Sequence, residues 1–186
     1  MRIIGGTRRG LKLAEVGEGD VAAHLRPTSD RVREAIFNLL INAHGNPVGG
    51  ARVVDLFAGT GALGLEALSR GAAEVTFVDN GAAALALLKA NIAKMRAEGQ
   101  TRVLRQDATR LPPNTAVPFT LVFLDPPYSK GLGDLALAVA QKGGWLAPGA
   151  VVVWEEAIAP TLPLGFARLD QRRYGDTVVT LLTAPA

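Results

Sequence analysis

Residues 53 to 64 read VVDLFAGTGALG and combine an apolar strand, a glycine-rich turn and the beginning of a helix. The glycines of this stretch, Gly59, Gly61 and Gly64, have the G-x-G-x-x-G spacing. Glycine at such positions permits positive φ angles in a tight turn and lets a ligand approach the backbone closely. The N-terminus of the following helix favours an anionic group. The stretch therefore predicts a site for an adenosine-containing cofactor at the end of a strand.

Three acidic residues near this loop indicate what the cofactor would present. Asp79 closes the next strand, 15 residues after Gly64, where a carboxylate can accept hydrogen bonds from both hydroxyls of a ribose. Asp55 lies four residues before Gly59, where a negative charge suits the ammonium group of S-adenosylmethionine better than the pyrophosphate of a nicotinamide dinucleotide. The structural alternative for Asp55 is a carboxylate that caps a local turn. Asp107, at the end of the third strand, could accept from the adenine amino group or could be a solvated loop acid.

Strands and helices alternate along the chain from residue 51 onward, which is typical of α/β proteins. Apolar strands are predicted at residues 52–57, 74–78, 102–105, 119–124 and 151–155, and helices at residues 64–70, 82–97 and 132–141. Residues 167–173 and 177–183, separated by Tyr174-Gly175-Asp176, are predicted to form an antiparallel hairpin. Uniformly apolar strands indicate a parallel sheet that is covered on both faces. Ligands of such sheets bind beyond the carboxyl ends of the central strands.

The fourth strand ends in Leu124-Asp125-Pro126-Pro127-Tyr128, at the same edge of the sheet as the glycine loop. Two prolines fix φ and remove two backbone donors, so that carbonyl oxygens face outward as acceptors. An exocyclic amine of a base could donate one proton to Asp125 and one to the Pro126 carbonyl, which would free its lone pair to attack a methyl sulfonium. Tyr128 would stack on the base. The alternative, a Pro-Pro turn with a packed tyrosine, does not explain a carboxylate that emerges from a buried strand beside the glycine loop.

Composition limits the chemistry available to the chain. Its 186 residues, 48% hydrophobic and 20% charged, favour one compact globular domain. The absence of cysteine excludes disulfides, thiolate metal sites and a cysteine nucleophile, and two histidines, His24 and His44, cannot build a histidine-rich metal site. No serine lies in a G-x-S-x-G motif, so a serine hydrolase is not expected. Neither a membrane span nor a signal peptide is recognised, and we expect a soluble, cytoplasmic protein without a metal.

The positive charge is concentrated at the N-terminus. The formal net charge is +3, but residues 1–12 contain four basic residues and no acidic residue. Pro27-Thr28-Ser29-Asp30 predicts a helix that has Thr28 or Ser29 as its N-cap and ends near Gly45-Asn46-Pro47. Its expected apolar face consists of Val32, Ala35, Ile36, Leu39, Leu40 and Ala43. We therefore expect a basic N-terminal extension over residues 1–50, made of a hairpin and a helix, and a catalytic body over residues 51–186.

The chain as a whole resembles the bacterial RsmD family of class I, S-adenosylmethionine-dependent amino-methyltransferases. The resemblance covers residues 2–180 and is carried by DLFAGTGALGLEAL (55–68), VTFVDN (75–80), LDPPY (124–128), RIIGG (2–6), RRGLKL (8–13), RPTSDRVREA (26–35) and YGDT (174–177). It implies an α/β, Rossmann-like fold with a seven-stranded, mostly parallel sheet of order 3-2-1-4-5-7-6 and an antiparallel last strand. It also implies methylation of the N2 amine of guanine 966 in 16S ribosomal RNA.

The resemblance assigns roles to residues of this chain. The expected catalytic residues are Asp125, Pro126, Pro127 and Tyr128. The expected cofactor-binding residues are Asp55, Phe57, Ala58, Gly59, Thr60, Gly61, Asp79, Asn80, Asp107, Ala108, Arg26 and Thr28. The expected RNA-binding residues, which could neutralise phosphates beside the catalytic edge, are Arg8, Arg9, Lys12, Arg31 and Arg33. Asn80-Gly81-Ala82 departs from relatives that have bulkier or charged residues there, which leaves the contacts to the adenine face open.

Other functions are compatible with parts of this pattern. Adenine-N6 methylation of DNA uses the same tetrapeptide, but only about 50 residues remain for a recognition domain. An NAD-dependent oxidoreductase could use the same glycine loop, and a non-catalytic RNA-binding module could keep the fold as a scaffold. The leading hypothesis is a monomeric enzyme that acts on 16S ribosomal RNA within a 30S subunit or an assembly intermediate, with no membrane partner.

Overall fold

A seven-stranded sheet forms the centre of the computed structural model, which describes residues 1–15, 29–127 and 131–186. Its strands are β1 (Arg52–Leu56), β2 (Glu74–Asp79), β3 (Thr101–Arg105), β4 (Phe119–Leu124), β5 (Leu146–Glu156), β6 (Ala167–Tyr174) and β7 (Thr177–Thr183). Their order in the sheet is β3-β2-β1-β4-β5-β7-β6. Strands β1 to β5 pair in parallel, whereas β7 is antiparallel to β5 and β6. The predicted fold class, strand order and antiparallel last strand are confirmed.

The α-helices of the described residues flank this sheet. They are α1 (Asp30–Ala43), α2 (Ala62–Ser69), α3 (Ala82–Met95) and α4 (Leu132–Lys142). Single 3-10 turns occur at Gly6–Arg8, Glu98–Gln100 and Ala108–Arg110. Helix α1 begins after Ser29, whose hydroxyl accepts a hydrogen bond from the Val32 backbone N–H at 3.2 Å. Ser29 is therefore the N-cap, and the helix ends at Ala43, before the predicted stop.

Side chains of the buried strands alternate between two hydrophobic layers. Val53, Phe77 and Phe123 belong to the layer that packs against α1, α2 and α3. Val54 and Leu124 belong to the layer that packs against α4. The sheet is therefore covered on both faces, as its uniformly apolar strands predict. No helix in the described ranges is long and apolar enough to cross a membrane.

The observed strand boundaries differ most from the predicted ones at β5. It begins at Leu146, which pairs with Phe119, and not at Val151. The pairing then shifts and becomes regular again only where Leu121 meets Val151. The intervening Pro148-Gly149 is a turn signal, and for that reason the sequence pattern predicts a later strand start.

Helix α1 buries much of the expected face, since Val32 and Leu39 pack against the core beside Ile36 and Leu40, but the buried face is shifted towards Arg33 and Phe37. Arg33 and Phe37 are fully buried together with Ile36 and Leu40, whereas Ala43 is exposed. The Phe37 ring packs against Phe123, with 5.7 Å between the ring centroids. The apolar layer of the sheet thus selects the aromatic side of the helix, and Arg33 is buried because acidic partners lie beside it.

The N-terminal extension forms the expected hairpin and packs against the body. Backbone hydrogen bonds join Ile3 to Gly10 and to Leu11, at 2.8 and 2.9 Å. Ile3 and Leu13 are buried in the same hydrophobic layer as α1 and α2. The extension and the body therefore share one core layer.

A buried carboxylate on α2, that of Glu66, holds this hairpin in place. Its two oxygens accept hydrogen bonds from the backbone N–H groups of Ile4 and Gly5, each at 2.8 Å. The Arg70 guanidinium donates to it at 2.7 Å, and that of Arg33 lies 3.7 Å away. The side chains of Glu66 and Arg33 are both 0% exposed. Because an unpaired charge in such a place is costly, the hairpin, α1 and α2 depend on one another at this point.

Replacement of Glu66 by alanine is expected to lower the free energy of unfolding by about 3–5 kcal/mol, since it removes one of the two carboxylates beside the buried Arg33 guanidinium and the acceptor of the Ile4 and Gly5 N–H groups. Glu74→Ala is the matched control, because Glu74 pairs with Arg52 at 2.6 Å but is 41% exposed. The control should lose no more than about 1 kcal/mol. Urea denaturation of both variants measures the difference. Equal losses would contradict the role given to Glu66.

Candidate active site

The glycines of the loop between β1 and α2 are needed for two different reasons. Gly59 and Gly61 have φ angles of 55° and 80°, which side chains rarely adopt. Gly64 has an ordinary helical position, but a Cβ there would collide with the Phe77 ring and would lie 2.8 Å from Val75. The first two glycines therefore shape the turn, and the third lets α2 pack closely on β2.

Strain is stored in the same loop at Phe57. Its φ angle is 62°, in the left-handed region that non-glycine residues seldom occupy. The next residue, Ala58, is fixed by a hydrogen bond of 3.0 Å from its N–H to the Val78 carbonyl. Thr60 is buried as well. Strained backbone that is held by its surroundings concentrates at ligand sites, and nothing in the residue type of Phe57 signals it.

Asp79 organises the loop from the end of β2. One of its oxygens accepts from the Gly59 N–H and the other from the Gly81 N–H, each at 2.8 Å. A carboxylate offers about four acceptor positions, so both oxygens keep a lone pair for ribose hydroxyls. Asn80 follows directly and is exposed. The predicted ribose acid is therefore also a structural part of the glycine loop.

The strand register brings three carboxylates to one face of the carboxyl edge. Asp55 is level with Phe77 of β2 and with Phe123 of β4. Asp79 and Asp125 each lie two residues beyond these phenylalanines, so their side chains share the face of Asp55. The sequence pattern predicts that the three acids lie at the same edge of the sheet. The strand register shows in addition that they lie on the same face.

Asp55 is the most deeply buried of the three acids and is 2% exposed. Its Oδ2 accepts a hydrogen bond from the Gly64 N–H at 2.9 Å, so it does cap a local turn. Burial nevertheless raises the pKa of Asp55 well above its ordinary value, and the charges of Asp125 and Asp79 raise it further against the opposing effect of the Gly64 N–H. A cation placed beside Asp55 would relieve this penalty.

Asp125, Pro126 and Pro127 follow β4 directly. The Asp125 N–H lies 3.5 Å from the Leu56 carbonyl, which links this motif to the end of β1. Pro126 is buried and Pro127 is exposed. The fourth residue of the motif, Tyr128, lies outside the described residues, as do the predicted cofactor-binding residues Arg26 and Thr28.

Asp107 follows β3 and caps the 3-10 turn that begins at Ala108. Its Oδ1 accepts from the hydroxyl and the N–H of Thr109, at 2.7 and 2.8 Å. The hydroxyl of Thr109, and then its N–H, lower the pKa of Asp107. Ala108 is buried and Asp107 is half-buried. Asp107 is therefore a capping carboxylate at the predicted adenine side, and its adenine contact stays a prediction.

The sequence analysis missed Asn91, a fully buried polar residue of α3. Its amide nitrogen donates to the carbonyls of Ala14 and Thr60, and its oxygen accepts from the Ala14 N–H. It thereby ties the end of the N-terminal hairpin to the glycine loop. The signal in the sequence is an asparagine within a helix that is rich in alanine and leucine.

The structure corrects the expectation for one basic residue, Arg33, and locates two others, Arg8 and Arg9, whose RNA contacts stay a prediction. Arg33 is not available to RNA, because its guanidinium is buried and paired with Asp30 at 2.8 Å and with Glu66. Arg8 and Arg9 are exposed, but the hairpin tip that carries them contacts the end of α2. Helix α2 starts at the glycine loop and has 8 residues, so its end lies about 12 Å from that loop.

The other basic residues of the predicted RNA surface are exposed. Lys12 lies two residues before Ala14 and is therefore nearer to the glycine loop than the hairpin tip is. Arg31 is exposed in the first turn of α1. The described ranges contain no group of three or more His, Cys, Asp or Glu side chains arranged to hold a metal ion.

Comparison with known proteins places this geometry in a family. The model of the family described as Conserved hypothetical protein 95 matches residues 1–183. Over 184 residues the chain is 39% identical to Ribosomal RNA small subunit methyltransferase D of Escherichia coli K12, which covers 97% of this chain and 88% of that protein. The chain belongs to the RsmD family. The protein of the same name from Haemophilus influenzae is 36% identical over 159 residues, 83% of this chain and 78% of that protein.

Solved structures agree with this membership of the RsmD family. The yhhF protein of Escherichia coli superposes with a TM-score of 0.84 at 37% identity and covers 100% of this chain and 98% of its own. A protein of Haemophilus influenzae superposes with a TM-score of 0.78 at 30% identity over the same shares. The N-terminal hairpin and the terminal β6-β7 hairpin are therefore parts of the common fold.

Asp55→Asn is expected to stabilise the ligand-free protein at neutral pH. Because the pKa of Asp55 is raised in the folded protein, protonated Asp55 contributes to stability. This contribution is fully present at pH values below the ordinary pKa of aspartate and is lost as the pH rises through the folded-state pKa. Asparagine keeps an acceptor for Gly64 without the charge. The melting temperature should rise by roughly 2–4 °C for each kcal/mol gained in the free energy of unfolding. The melting temperature of the variant should also fall less steeply with rising pH than that of the wild-type protein.

Asp79→Asn supplies the contrasting control, because it leaves one of two backbone N–H groups without its acceptor and should lower the melting temperature. Thermal unfolding followed by circular dichroism at several pH values measures both variants. A lower melting temperature for Asp55→Asn at neutral pH would show that the buried charge is stabilising, against this account.

Proposed function

We propose that this protein transfers a methyl group from S-adenosylmethionine to the exocyclic N2 amine of a guanine in 16S ribosomal RNA, of the guanine 966 type. The observation that carries the proposal is the alignment of Asp79, Asp55 and Asp125 on one face of the carboxyl edge. Membership of a family whose relatives are named ribosomal RNA small subunit methyltransferases supports it.

The residues of the edge fit S-adenosylmethionine on structural grounds. Burial and neighbouring charges raise the pKa of Asp55, which makes its ionised form unfavourable. An ammonium group beside Asp55 would offset both effects, and for this reason the position suits a cation. Gly59 and Gly61 shape the turn through their positive φ angles, and Asp79 keeps lone pairs for two ribose hydroxyls. When bound, the cofactor supplies a methyl group on a sulfonium sulfur, and its transfer leaves S-adenosylhomocysteine.

Asp125 and Pro126 would hold the acceptor amine. The Asp125 carboxylate would accept a hydrogen bond from one amine proton, and the Pro126 carbonyl would accept one from the other. These two hydrogen bonds would direct the nitrogen lone pair towards the glycine loop and Asp55. Methylation of the nitrogen would release one amine proton, for which the Asp125 carboxylate would be the acceptor. Such positioned proton acceptance contributes about 10²–10⁴-fold to a rate.

The extension of residues 1–50 would supply the RNA contacts. Arg8, Arg9, Lys12 and Arg31 are exposed cations on this part of the chain. At one end of its hairpin, Ala14 is connected to the glycine loop through Asn91. At the other end, the Arg8 N–H contacts Ser69 at the end of α2. RNA held along the hairpin would therefore touch the protein over a distance larger than one nucleotide. A preformed RNA shape, such as that of a 30S subunit or an assembly intermediate, suits so small a protein.

Asp125→Ala is expected to lower methyl transfer at least about 100-fold, because the amine loses the acceptor that orients it. S-adenosylhomocysteine should still bind, since the glycine loop, Asp55 and Asp79 remain. Transfer of tritiated methyl groups to 30S subunits from cells lacking the modification measures the first effect, and calorimetric titration the second. Asp134→Ala, at an exposed position in the first turn of α4, is the control. Unchanged transfer by Asp125→Ala would refute the proposed mechanism.

Replacing Arg8 and Arg9 together by alanine is expected to weaken RNA binding and its salt dependence. Each lost phosphate contact reduces the slope of log affinity against log salt by about 0.7–0.9. Binding of the protein to small-subunit RNA at several salt concentrations measures the slope. Lys94→Ala, an exposed cation of α3, should leave it unchanged. An unaltered slope for the double variant would show that the hairpin tip does not touch phosphates.

A further inference from the structure

Strand β5 ends in two buried acids, Glu155 and Glu156, which are 2% and 8% exposed. Leu124 of β4 pairs with Trp154 of β5, so the residues that follow them, Asp125 and Glu155, lie side by side at the carboxyl edge. Neighbouring strands are separated by about 4.8 Å. Glu155 therefore occupies the same part of the edge as the proposed amine-binding acid.

Glu155 also shares a face of the sheet with Asp125. Val153, two residues earlier, pairs with Phe123, and both belong to the hydrophobic layer of α1 and α2. Trp154 belongs to the opposite layer, and Glu156 follows that alternation. The two adjacent glutamates consequently face opposite sides of the sheet.

The strand order gives Glu155 a defined place relative to the cofactor. Strands β1 and β2, which carry the glycine loop, Asp55 and Asp79, lie on one side of β4, and β5 lies on the other. An amine held at Asp125 would receive the methyl group from the β1 side. The base that carries this amine would then lie towards β5 and Glu155.

The chemistry of this position distinguishes one purine from another. In guanine the ring N1–H donor lies directly beside the N2 amine, whereas purines without that hydrogen present an N1 lone pair. An ionised carboxylate only accepts hydrogen bonds. Glu155 already has an interaction within the chain, and its carboxylate has acceptor positions for a further one. In a buried site, a carboxylate lone pair that faces an N1 lone pair leaves both polar groups without a hydrogen bond. Such a site therefore discriminates strongly against purines that lack N1–H.

We propose that Glu155 is a specificity-determining residue that selects guanine by accepting the N1–H beside the amine held at Asp125. This inference rests on the proposed function, because it concerns the acceptor base of the same reaction. The alternative, a purely structural glutamate, would affect folding or all bases equally.

The test compares guanine with 2-aminopurine at the methylated position of reconstituted small subunits. 2-Aminopurine keeps the amine but has an N1 lone pair in place of N1–H. Wild-type protein should methylate guanine at least about tenfold faster than 2-aminopurine, as expected for one hydrogen bond to a charged group. Glu155→Gln can donate from its amide to the N1 lone pair, so the guanine to 2-aminopurine rate ratio should fall at least about tenfold. Glu156→Gln, on the opposite face, should keep the wild-type ratio.

The outcomes separate the two proposals. Absence of methyl transfer by the wild-type protein to small-subunit RNA would overturn the proposed function and this inference with it. Normal wild-type transfer with an unchanged ratio in Glu155→Gln, at retained S-adenosylhomocysteine affinity, would overturn only this inference. If Glu155→Gln does not fold, equal rates of the wild-type protein on guanine and 2-aminopurine would still overturn the inference, because they would exclude N1–H recognition.

Discussion

Parallel pairing of β2, β1, β4 and β5 sets the carboxylates of Asp79, Asp55, Asp125 and Glu155 on one face of a single sheet edge. Burial and like charges make such an edge unfavourable in the absence of cations or donors, as the raised pKa of Asp55 indicates. The proposed ligands present an ammonium group, ribose hydroxyls and an amine, which are all donors. The edge is therefore complementary to the proposed ligands, and the buried Asp55 charge is unfavourable for the protein without them, a common balance at functional sites.

The N-terminal hairpin is positioned by two buried polar residues, Glu66 of α2 and Asn91 of α3. Glu66 binds its tip near the end of α2, and Asn91 binds Ala14 beside Thr60 of the glycine loop. Because Asn91 contacts the extension and the cofactor loop with one amide, displacement of either would disturb the other. The extension and the cofactor loop are thus mechanically connected, although they are far apart in the sequence.

The sequence predicts the sheet, the glycine turn and the place of Asp79 at the end of β2 well, because these depend on local patterns of apolar residues, glycine and strand ends. It fails for Arg33, Glu66 and Asn91, whose burial depends on partners up to 77 residues away along the chain. Charged side chains are ordinarily exposed, so Arg33 on a helix start indicates a surface cation until its partners are known. Glu155 escapes notice for the same reason, since only the register of β4 and β5 brings it beside Asp125.

The location of the basic residues divides RNA recognition into two parts. Arg8 and Arg9 lie at the hairpin tip near the end of α2, on the order of 12 Å from the glycine loop. Phosphate contacts at such a distance add affinity and orientation but carry no information about the base. Selection of the base must therefore come from groups at the catalytic edge itself. In the proposed reaction Asp125 and Pro126 would recognise an amine, which adenine, cytosine and guanine all have, and a neighbouring acceptor such as Glu155 is what would restrict the reaction to guanine.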